Sequence, residues 1–338
     1  MPRSMRRTRT DAVHVRLALL VAASLLFAGP LPAHAQFPPD SFTNLRVLPR
    51  DIAPRTLVDM MAGFTRALGV RCTYCHVGEE SIPLEQYDFA SDEKPSKRKA
   101  RAMIEMVGRI NDVHLAGLEQ RVTPALQVQC FTCHRGVTQP RTLQDVLNQA
   151  YRAGGIDSTL AAYHALRRQY HGRAVYDFGE VALIDVANPI AAAGDLTGAE
   201  QLLELNVRMN PESGFARLRF MTIALLRSFI ERGAESGRAR YADLKTEFGG
   251  QSLPEPLLNA VGYDLLRRSQ TAAAIAAFEL NVAEYPQSSN THDSLGEALA
   301  TSGAIERAIR SYERALQLDP QNVATAEKLR ELRRRRGA

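Results

Sequence analysis

Hydrophobic residues recur at intervals of three and four along most of the chain, which is the spacing of one face of an α-helix. In the first third of the chain, this pattern predicts a short helix with Pro54 in its first turn. Asp51 precedes it as a candidate cap, and Gly69 follows it as a candidate stop signal. The sequence therefore predicts a short helix that ends shortly before Cys72.

A second hydrophobic stripe predicts a helix from about Ser96 to Leu118. The segments on either side of the first helix have a different texture. Residues 36–50 are rich in proline, and residues 78–95 are polar and acidic with two prolines, so both are expected to be irregular. The region thus contains two helices, each followed by a loop.

From about Leu143 onward the chain is rich in Ala, Leu and Arg, and part of it repeats at a fixed offset that equals the tetratricopeptide period. Gly262, Ala274, Phe278 and Pro286 recur as Gly296, Ala308, Tyr312 and Pro320. The clearest copies are 255–288 and 289–322, and a fainter copy ends at Pro211. The pattern predicts a solenoid of stacked helix pairs whose concave face binds a protein or peptide.

Residues 1–35 have the layout of a secretory signal peptide. A basic start runs to Arg16, an apolar stretch covers 17–28, and small residues surround a cleavage site after Ala35. The alternative is an uncleaved membrane anchor, but the apolar stretch is shorter than the roughly 20 residues that span a bilayer. We expect export to the periplasm.

The formal charge of +5 comes mainly from this leader. The segment up to Arg16 carries five arginines and one aspartate, so the remainder of the chain is close to neutral. The arginine run at 333–336 is expected to be a solvated tail. Charge therefore excludes a nucleic-acid partner as the main function.

All four cysteines lie in two Cys-x-x-Cys-His motifs. Two thiols at this spacing can bond to the two vinyl groups of one haem, and the histidine that follows can bind the iron. The thiols are Cys72, Cys75, Cys130 and Cys133, and the proximal histidines are His76 and His134. The alternatives are two local disulfides or one zinc ion, but zinc ribbons place their pairs about 15–20 residues apart. The sequence predicts two covalently bound haem c groups.

Residues from about 47 to 137 resemble the cytochrome c subunit of photosynthetic reaction centres. The resemblance is carried by Val47–Ile52, Phe64–Val70, both haem motifs, Arg101–Met106 and Cys133–Gly136. That family usually has four haems, so this chain resembles half of such a subunit. The resemblance implies electron-transfer chemistry, with photosynthetic electron transport among the processes to consider. It also implies a distal methionine ligand on a helix before each haem motif.

For the first haem, the resemblance implies Met61 as the distal ligand. Its separation from Cys72 along the chain matches that of the family's methionine in one of its repeats. Met60 is the alternative. The two side chains point about 100° apart around a helix, so both cannot face the iron.

For the second haem, the resemblance implies Met103, with Met106 and His114 as alternatives. On a regular helix, His114 would lie three turns after Met103 and about 20° from it around the axis, so it could also reach an iron. Imidazole in place of the thioether would lower the reduction potential.

The sequence as a whole predicts an all-α protein with three parts. These are a signal peptide at 1–35, a small dihaem cytochrome c domain at 36–142 and tetratricopeptide-like helical repeats at 143–338.

The expected function is a periplasmic electron carrier between redox partners, such as a membrane-bound electron-transfer complex. We expect no enzymatic activity, since iron with two protein ligands has no open position. The alternatives are a dihaem peroxidase-like enzyme, or a repeat-based binding or assembly protein with redox-sensing haems.

Overall fold

The computed structural model describes residues 37–119, 123–249 and 253–337. The predicted signal peptide lies outside these residues. The described part of the chain is built of helices and contains no strand, only an isolated bridge between Val77 and Asp88. The prediction of an all-α fold is therefore confirmed. Contacts divide the chain into two compact units, 1–140 and 141–338, and each is described by itself.

Unit 1 contains three α-helices in its described part, with shorter turns between them. They are α1 (Pro54–Leu68), α2 (Pro95–Arg109) and α3 (Cys130–His134), with 3₁₀ turns at Cys72–Tyr74 and Leu84–Gln86 and a π-helical turn at Ile110–Leu115. Helix α1 packs against α3. The haem motifs thus lie in, or directly beside, the helices of unit 1.

Helix α1 begins and ends where the sequence predicts, but its cap differs from the predicted one. Gly69 adopts the left-handed conformation at φ 65°, which terminates the helix as predicted. The expected cap at Asp51 is wrong, because Ala53 is the N-cap and no side chain caps the first turn. Pro54 needs no such cap at its own position, since it has no N–H group and its φ already suits a helix.

Helix α2 begins at Pro95, one residue before the predicted start, and changes its winding at Ile110. In the π-helical turn, the N–H of Ala116 donates to the carbonyl of Asn111 five residues earlier, at 3.1 Å. The turn ends at Leu115, so the predicted helix to Leu118 is three residues too long.

Unit 2 begins with a long helix and continues as helix pairs. Its helices are α4 (Leu143–Tyr170), α5 (Glu180–Ala192), α6 (Leu196–Met209), α7 (Gly214–Glu247), α8 (Glu255–Arg267), α9 (Thr271–Glu284), α10 (Ser289–Thr301), α11 (Ile305–Leu318) and α12 (Val323–Gly337). Thr142 and Asp145 cap the start of α4 reciprocally, as in a capping box. Helix α4 is interrupted at Gly154 and Gly155, both of which have non-helical backbone angles.

The repeat period is visible in the positions where the first helix of each pair begins. These helices begin at residues 180, 214, 255, 289 and 323, so the step is constant except for a longer one between 214 and 255. The longer step belongs to α7, which bends at Gly233 (φ 83°) and so supplies both helices of one pair. The predicted solenoid of tetratricopeptide-like helix pairs is therefore present, with a short insertion in one pair.

Close contact between a glycine and an aromatic ring holds two of the pairs together. A Cβ atom on Gly262 of α8 would lie 2.4 Å from the ring of Phe278 on α9. One on Gly296 of α10 would lie 2.7 Å from the ring of Tyr312 on α11. The repeated glycines are thus the positions where the second helix inserts its aromatic side chain.

No helix in the described ranges is long and apolar enough to cross a membrane.

Candidate haem-binding site

The first motif lies on one tight turn directly after α1. The N–H groups of Cys75 and His76 donate to the carbonyl of Cys72 at 3.1 and 2.9 Å. This turn brings both thiols and the imidazole of the first motif close together in a few residues of chain. They are the groups that covalent haem attachment requires.

The imidazole of His76 is enclosed by neighbouring side chains. Its Nδ1 atom is buried and has no hydrogen-bond partner among the described residues. The ring of Phe89 lies edge-on to it, with 4.9 Å between the centroids. Burial, and next the charge of Lys97, lower the pKa of His76 to about 4. The ring is therefore neutral at physiological pH, which is the form that binds a metal.

The start of α2 holds the first motif from outside. The ammonium group of Lys94 donates to the carbonyl of Thr73, and the hydroxyl of Ser96 donates to the carbonyl of Tyr74. Both carbonyls belong to the two residues between Cys72 and Cys75. The side chains of α2 thus fix the backbone that carries the thiols.

A cluster of charged residues behind His76 is not apparent in the sequence. Lys97 is only 9% exposed, and its ammonium group donates to the carbonyls of Phe89, Ala90 and Ser91 at 2.7–3.0 Å. Asp92 follows these carbonyls and pairs with three cations, Arg46 at 3.0 Å, Lys97 at 3.4 Å and Arg101 at 2.8 Å.

Hydrogen bonding from Arg101 holds the pKa of Asp92 well below its usual range. The cluster fixes the segment before α2, which includes the ring of Phe89 that contacts His76. Residues 78–95 are largely irregular, as the composition indicates, but the end of this segment is anchored by charge. The signal for this anchoring is the pairing of an acidic loop with a basic helix start.

The second motif forms the short helix α3. The N–H of Gln129 donates to the hydroxyl of Thr132 at 3.0 Å, which satisfies a backbone group at the start of the helix. Cys130, Cys133 and His134 lie on one face, because residues three and four apart are neighbours on a helix.

His134 is oriented by a contact of its own. Its Nδ1 atom lies 2.9 Å from the carbonyl of Val137. If Nδ1 carries the proton, it donates to this carbonyl and leaves Nε2 as the metal-binding atom. This is the usual second contact of a metal-binding histidine.

The chain just before the first motif contacts the chain just after the second. The N–H of Gly136, two residues after His134, donates to the carbonyl of Ala67 in the last turn of α1 at 2.8 Å. Gly69 lies against the same residue, since a Cβ atom there would be 2.1 Å from the carbonyl oxygen of Gly136. Gly69 therefore allows the close approach, and Gly136 supplies the left-handed backbone (φ 92°) that the approach uses.

The cysteines are free thiols, so neither motif is closed by a disulfide. Burial raises the pKa of Cys75 and of Cys130. Among the described residues, no group of three or more His, Cys, Asp and Glu side chains is arranged to hold a metal ion.

The candidate distal ligands of the first motif lie on α1. Met60 and Met61 are adjacent and both are half-buried. A cavity of about 440 Å³ lies beside Cys72, and its walls include Thr65, Leu84 and Tyr87. Neither methionine lines this cavity, so the choice between them stays a prediction.

The candidates for the second motif are more exposed and are arranged differently from the expectation for a regular helix. Met103 and Met106 are 43% and 44% exposed. A cavity of about 280 Å³ is lined by Met106 and His114, together with Ala102, Glu105, Arg109 and Ile110.

His114 therefore lies beside Met106, and Met103 is not among the lining residues. The π-helical turn explains this, because it places more residues in each turn and so rotates His114 away from the line of Met103. Which of the three side chains binds iron stays a prediction.

The packing of unit 1 fits a segment that surrounds large planar groups. Among its described residues, only Leu57 and Ala67 are buried hydrophobic side chains. Its exposed large hydrophobic residues are Tyr74, Leu84, Met103, Met106, Val113, Leu118, Leu126 and Phe131. This distribution fits haem c held by Cys72, Cys75 and His76 and by Cys130, Cys133 and His134.

Solved structures match part of the chain at low similarity. TTC0263 from Thermus thermophilus is 17% identical, covering 56% of this chain and 96% of its own, with a TM-score of 0.29. YrrB, described as having an unusual peptide-binding site, is 13% identical; the match covers 55% of this chain and 89% of YrrB, with a TM-score of 0.29. MamA from Desulfovibrio magneticus RS-1 is 13% identical; the match covers 54% of this chain and 95% of MamA, with a TM-score of 0.28. No curated protein matches the chain.

Two family models match the chain. Residues 38–156 match the photosynthetic reaction centre cytochrome C subunit, and residues 289–322 match the tetratricopeptide repeat. Both resemblances stated from the sequence are confirmed. The first match ends beside the interruption of α4 at Gly154 and Gly155. The chain thus combines a segment similar to the photosynthetic reaction centre cytochrome C subunit with a region that matches the tetratricopeptide repeat.

Proposed function

We propose that this protein is an exported dihaem c-type cytochrome that carries electrons between redox partners and has no enzymatic activity. The observation that carries the proposal is the pair of Cys-x-x-Cys-His motifs in one compact unit, whose flanking residues Gly136 and Ala67 are joined by a hydrogen bond. Two such motifs in one small unit suit the transfer of electrons between two haems. Bound haem c supplies reversible one-electron chemistry at its iron.

The residues of this chain have separate roles in the proposal. Cys72, Cys75, Cys130 and Cys133 form thioether bonds, and His76 and His134 bind iron from the proximal side. The bond from His134 to Val137 fixes the orientation of that ring. We assign the distal positions to Met61 and to Met103, with Met60, Met106 and His114 as the alternatives.

Helical repeats indicate protein interaction, and we propose that they dock the redox partner. Polar contacts join the first helices of successive pairs. The hydroxyl of Tyr263 on α8 lies 3.3 Å from that of Ser294 on α10, and Lys328 on α12 lies 3.0 Å from Asp293 and from Glu297. These contacts hold α8, α10 and α12 side by side, and stacked helix pairs of this kind present a surface that can bind a protein partner.

The test is to express the chain with a haem-attachment system and to count its haems. We expect two haems per chain that resist acid–acetone extraction and titrate as two reversible one-electron steps. A protein with fewer covalent haems would contradict the proposal.

Carbon monoxide difference spectra separate the proposal from a peroxidase-like enzyme. Iron with two protein ligands should not react readily with carbon monoxide, whereas an enzyme needs an open or opening position. A rapid reaction at one haem would favour the enzyme.

A further inference from the structure

Asn111, in the π-helical turn after α2, makes contacts that none of the roles above uses. Its Nδ2 group donates to the carbonyl of Val128 at 2.9 Å, and its Oδ1 atom accepts from the N–H of Val128 at 2.8 Å. One side-chain amide thus satisfies both backbone polar groups of one residue, as a neighbouring strand would. Asn111 thereby closes a loop of the chain at Val128.

Val128 lies two residues before Cys130, and hydrogen bonds continue from it into the second motif. The next residue, Gln129, donates its N–H to the hydroxyl of Thr132 at 3.0 Å, and this contact starts α3. Helix α3 carries Cys130, Cys133 and His134. The position of the Asn111 side chain therefore fixes the point from which the second motif begins.

Asn111 also lies in a π-helical turn, which is an unusual backbone conformation. The carbonyl of Asn111 accepts from Ala116 in the five-residue pattern of a π-helix, at 3.1 Å. Such turns are rare and are found frequently at functional sites. On a regular helix, the side chains of this turn would point in different directions, so the π-helical turn is part of what aims Asn111 at Val128.

The first motif is held independently. Lys94 and Ser96 at the start of α2 contact the carbonyls of Thr73 and Tyr74, which lie between Cys72 and Cys75. Helix α2 with its π-helical turn thus contacts the first motif at one end and, at the other, the residue two positions before the second motif. A substitution at one end can therefore be made without changing the contacts at the other.

We propose that Asn111 is a positioning residue for the second haem, acting through Val128 on the placement of α3 and so on the ligation by His134. This inference rests on the proposed function, because it requires a haem at each motif. A change in the placement of the proximal ligand changes the electronic environment of the iron. Removing the amide should therefore change one reduction potential and leave the other alone.

The experiment is a redox titration of the haem-loaded full chain with Asn111→Ala, Asn111→Gln and Ser96→Ala. We expect Asn111→Ala to shift one of the two midpoint potentials, and Ser96→Ala to shift the other. Asn111→Gln retains the amide and should restore part of the Asn111→Ala shift. A residue that only stabilised the fold would not produce this separation between the two haems.

Asp112→Ala is the matched control, because Asp112 lies on the same π-helical turn and is exposed. It should leave both potentials unchanged. The inference is overturned if neither potential moves in Asn111→Ala, if both move together, or if Asp112→Ala gives the same shift.

If Asn111→Ala loses only the haem of the second motif, identified by the mass of the Cys130 peptide, the inference is supported. If Asn111→Ala and Asn111→Gln both lose both haems, it is overturned, because the residue then serves the whole unit. A wild-type chain without covalent haem would instead refute the proposed function. The two failures are therefore distinguishable.

Discussion

Met60 and Met61 share a half-buried stretch of α1, and their side chains point about 100° apart. We predict that Met61→Leu removes the sulfur-to-iron absorbance band of the first haem. It should also lower that haem's potential, because thioether ligation raises the potential and axial ligands tune it over about 0.8 V. Visible spectra of the oxidised protein and a redox titration measure both effects.

Met60→Leu is the matched control, since it makes the same change one residue away. It should retain the absorbance band and alter the potential little. If Met60→Leu removes the band and Met61→Leu does not, the assignment is off by one residue and Met60 is the ligand.

For the second haem, His114 and Met106 line one cavity. Met103 lies on α2, three residues before Met106. We predict that near-infrared magnetic circular dichroism of the oxidised protein shows two His/Met signatures, with one lost in Met103→Leu. Loss in Met106→Leu instead would assign Met106. One His/His signature that disappears in His114→Ala would assign the imidazole.

At the scale of the helix, an added side-chain atom at a glycine–aromatic contact of unit 2 should lower the free energy of unfolding. Gly262→Ala would place a Cβ atom 2.4 Å from the fully buried ring of Phe278. Overpacking costs about 1–3 kcal/mol, and the better helix propensity of alanine offsets up to about 1 kcal/mol. We predict a net loss of up to about 2 kcal/mol in the free energy of unfolding of unit 2, measured by urea denaturation.

Gly214→Ala is the control for this substitution. Gly214 lies at the start of α7 and has no atom within 4 Å of the position of an added Cβ. Its substitution should be neutral or slightly stabilising. An equal loss of stability in both variants would show that the ring contact is not the cause.

The helices could be predicted from the sequence wherever local signals act alone. Pro54 and Gly69 mark the ends of α1 by their own backbone preferences, and the fixed offset from Gly262 to Gly296 marks the repeats. The π-helical turn could not be predicted, because hydrophobic spacing assumes a constant number of residues per turn. For the same reason, the expected alignment of Met103 with His114 does not hold.

At the scale of the whole molecule, the two units differ in what fills their interiors. The described part of unit 1 buries only two hydrophobic side chains, whereas unit 2 has a large hydrophobic cluster and a smaller one near its end. We predict that Cys72→Ala with Cys75→Ala removes one haem and leaves unit 1 largely unfolded, while unit 2 keeps its helices. Small units need an additional source of stability when their own core is thin.

Limited proteolysis followed by mass spectrometry measures this difference. Cleavage should concentrate in residues 37–140 of the variant, with a resistant fragment from unit 2. The matched change in the second motif, Cys130→Ala with Cys133→Ala, should give the same pattern. A soluble variant with unit 1 as resistant as in the wild type would contradict the prediction.

The chemical groups of the candidate site could be predicted from the sequence, but the contacts that hold the surrounding chain could not. Every thiol and both proximal histidines follow from short motifs, because the chemistry fixes their spacing. The contacts of Asp92 with Arg46, and of Asn111 with Val128, join residues far apart in sequence. Such contacts depend on the folded chain, and no local pattern indicates them.

The bond between Gly136 and Ala67 also has a mechanical consequence. Gly136 lies four residues before the end of unit 1, so a pull transmitted along the chain from unit 2 reaches this bond before it reaches either motif. From there the load passes directly into α1. Residues 68–135 contain both pairs of thiols and both proximal histidines. They lie between the two hydrogen-bonded residues along the chain and so outside the path of the force. Tension on the chain is therefore diverted around the redox centres for as long as this contact holds.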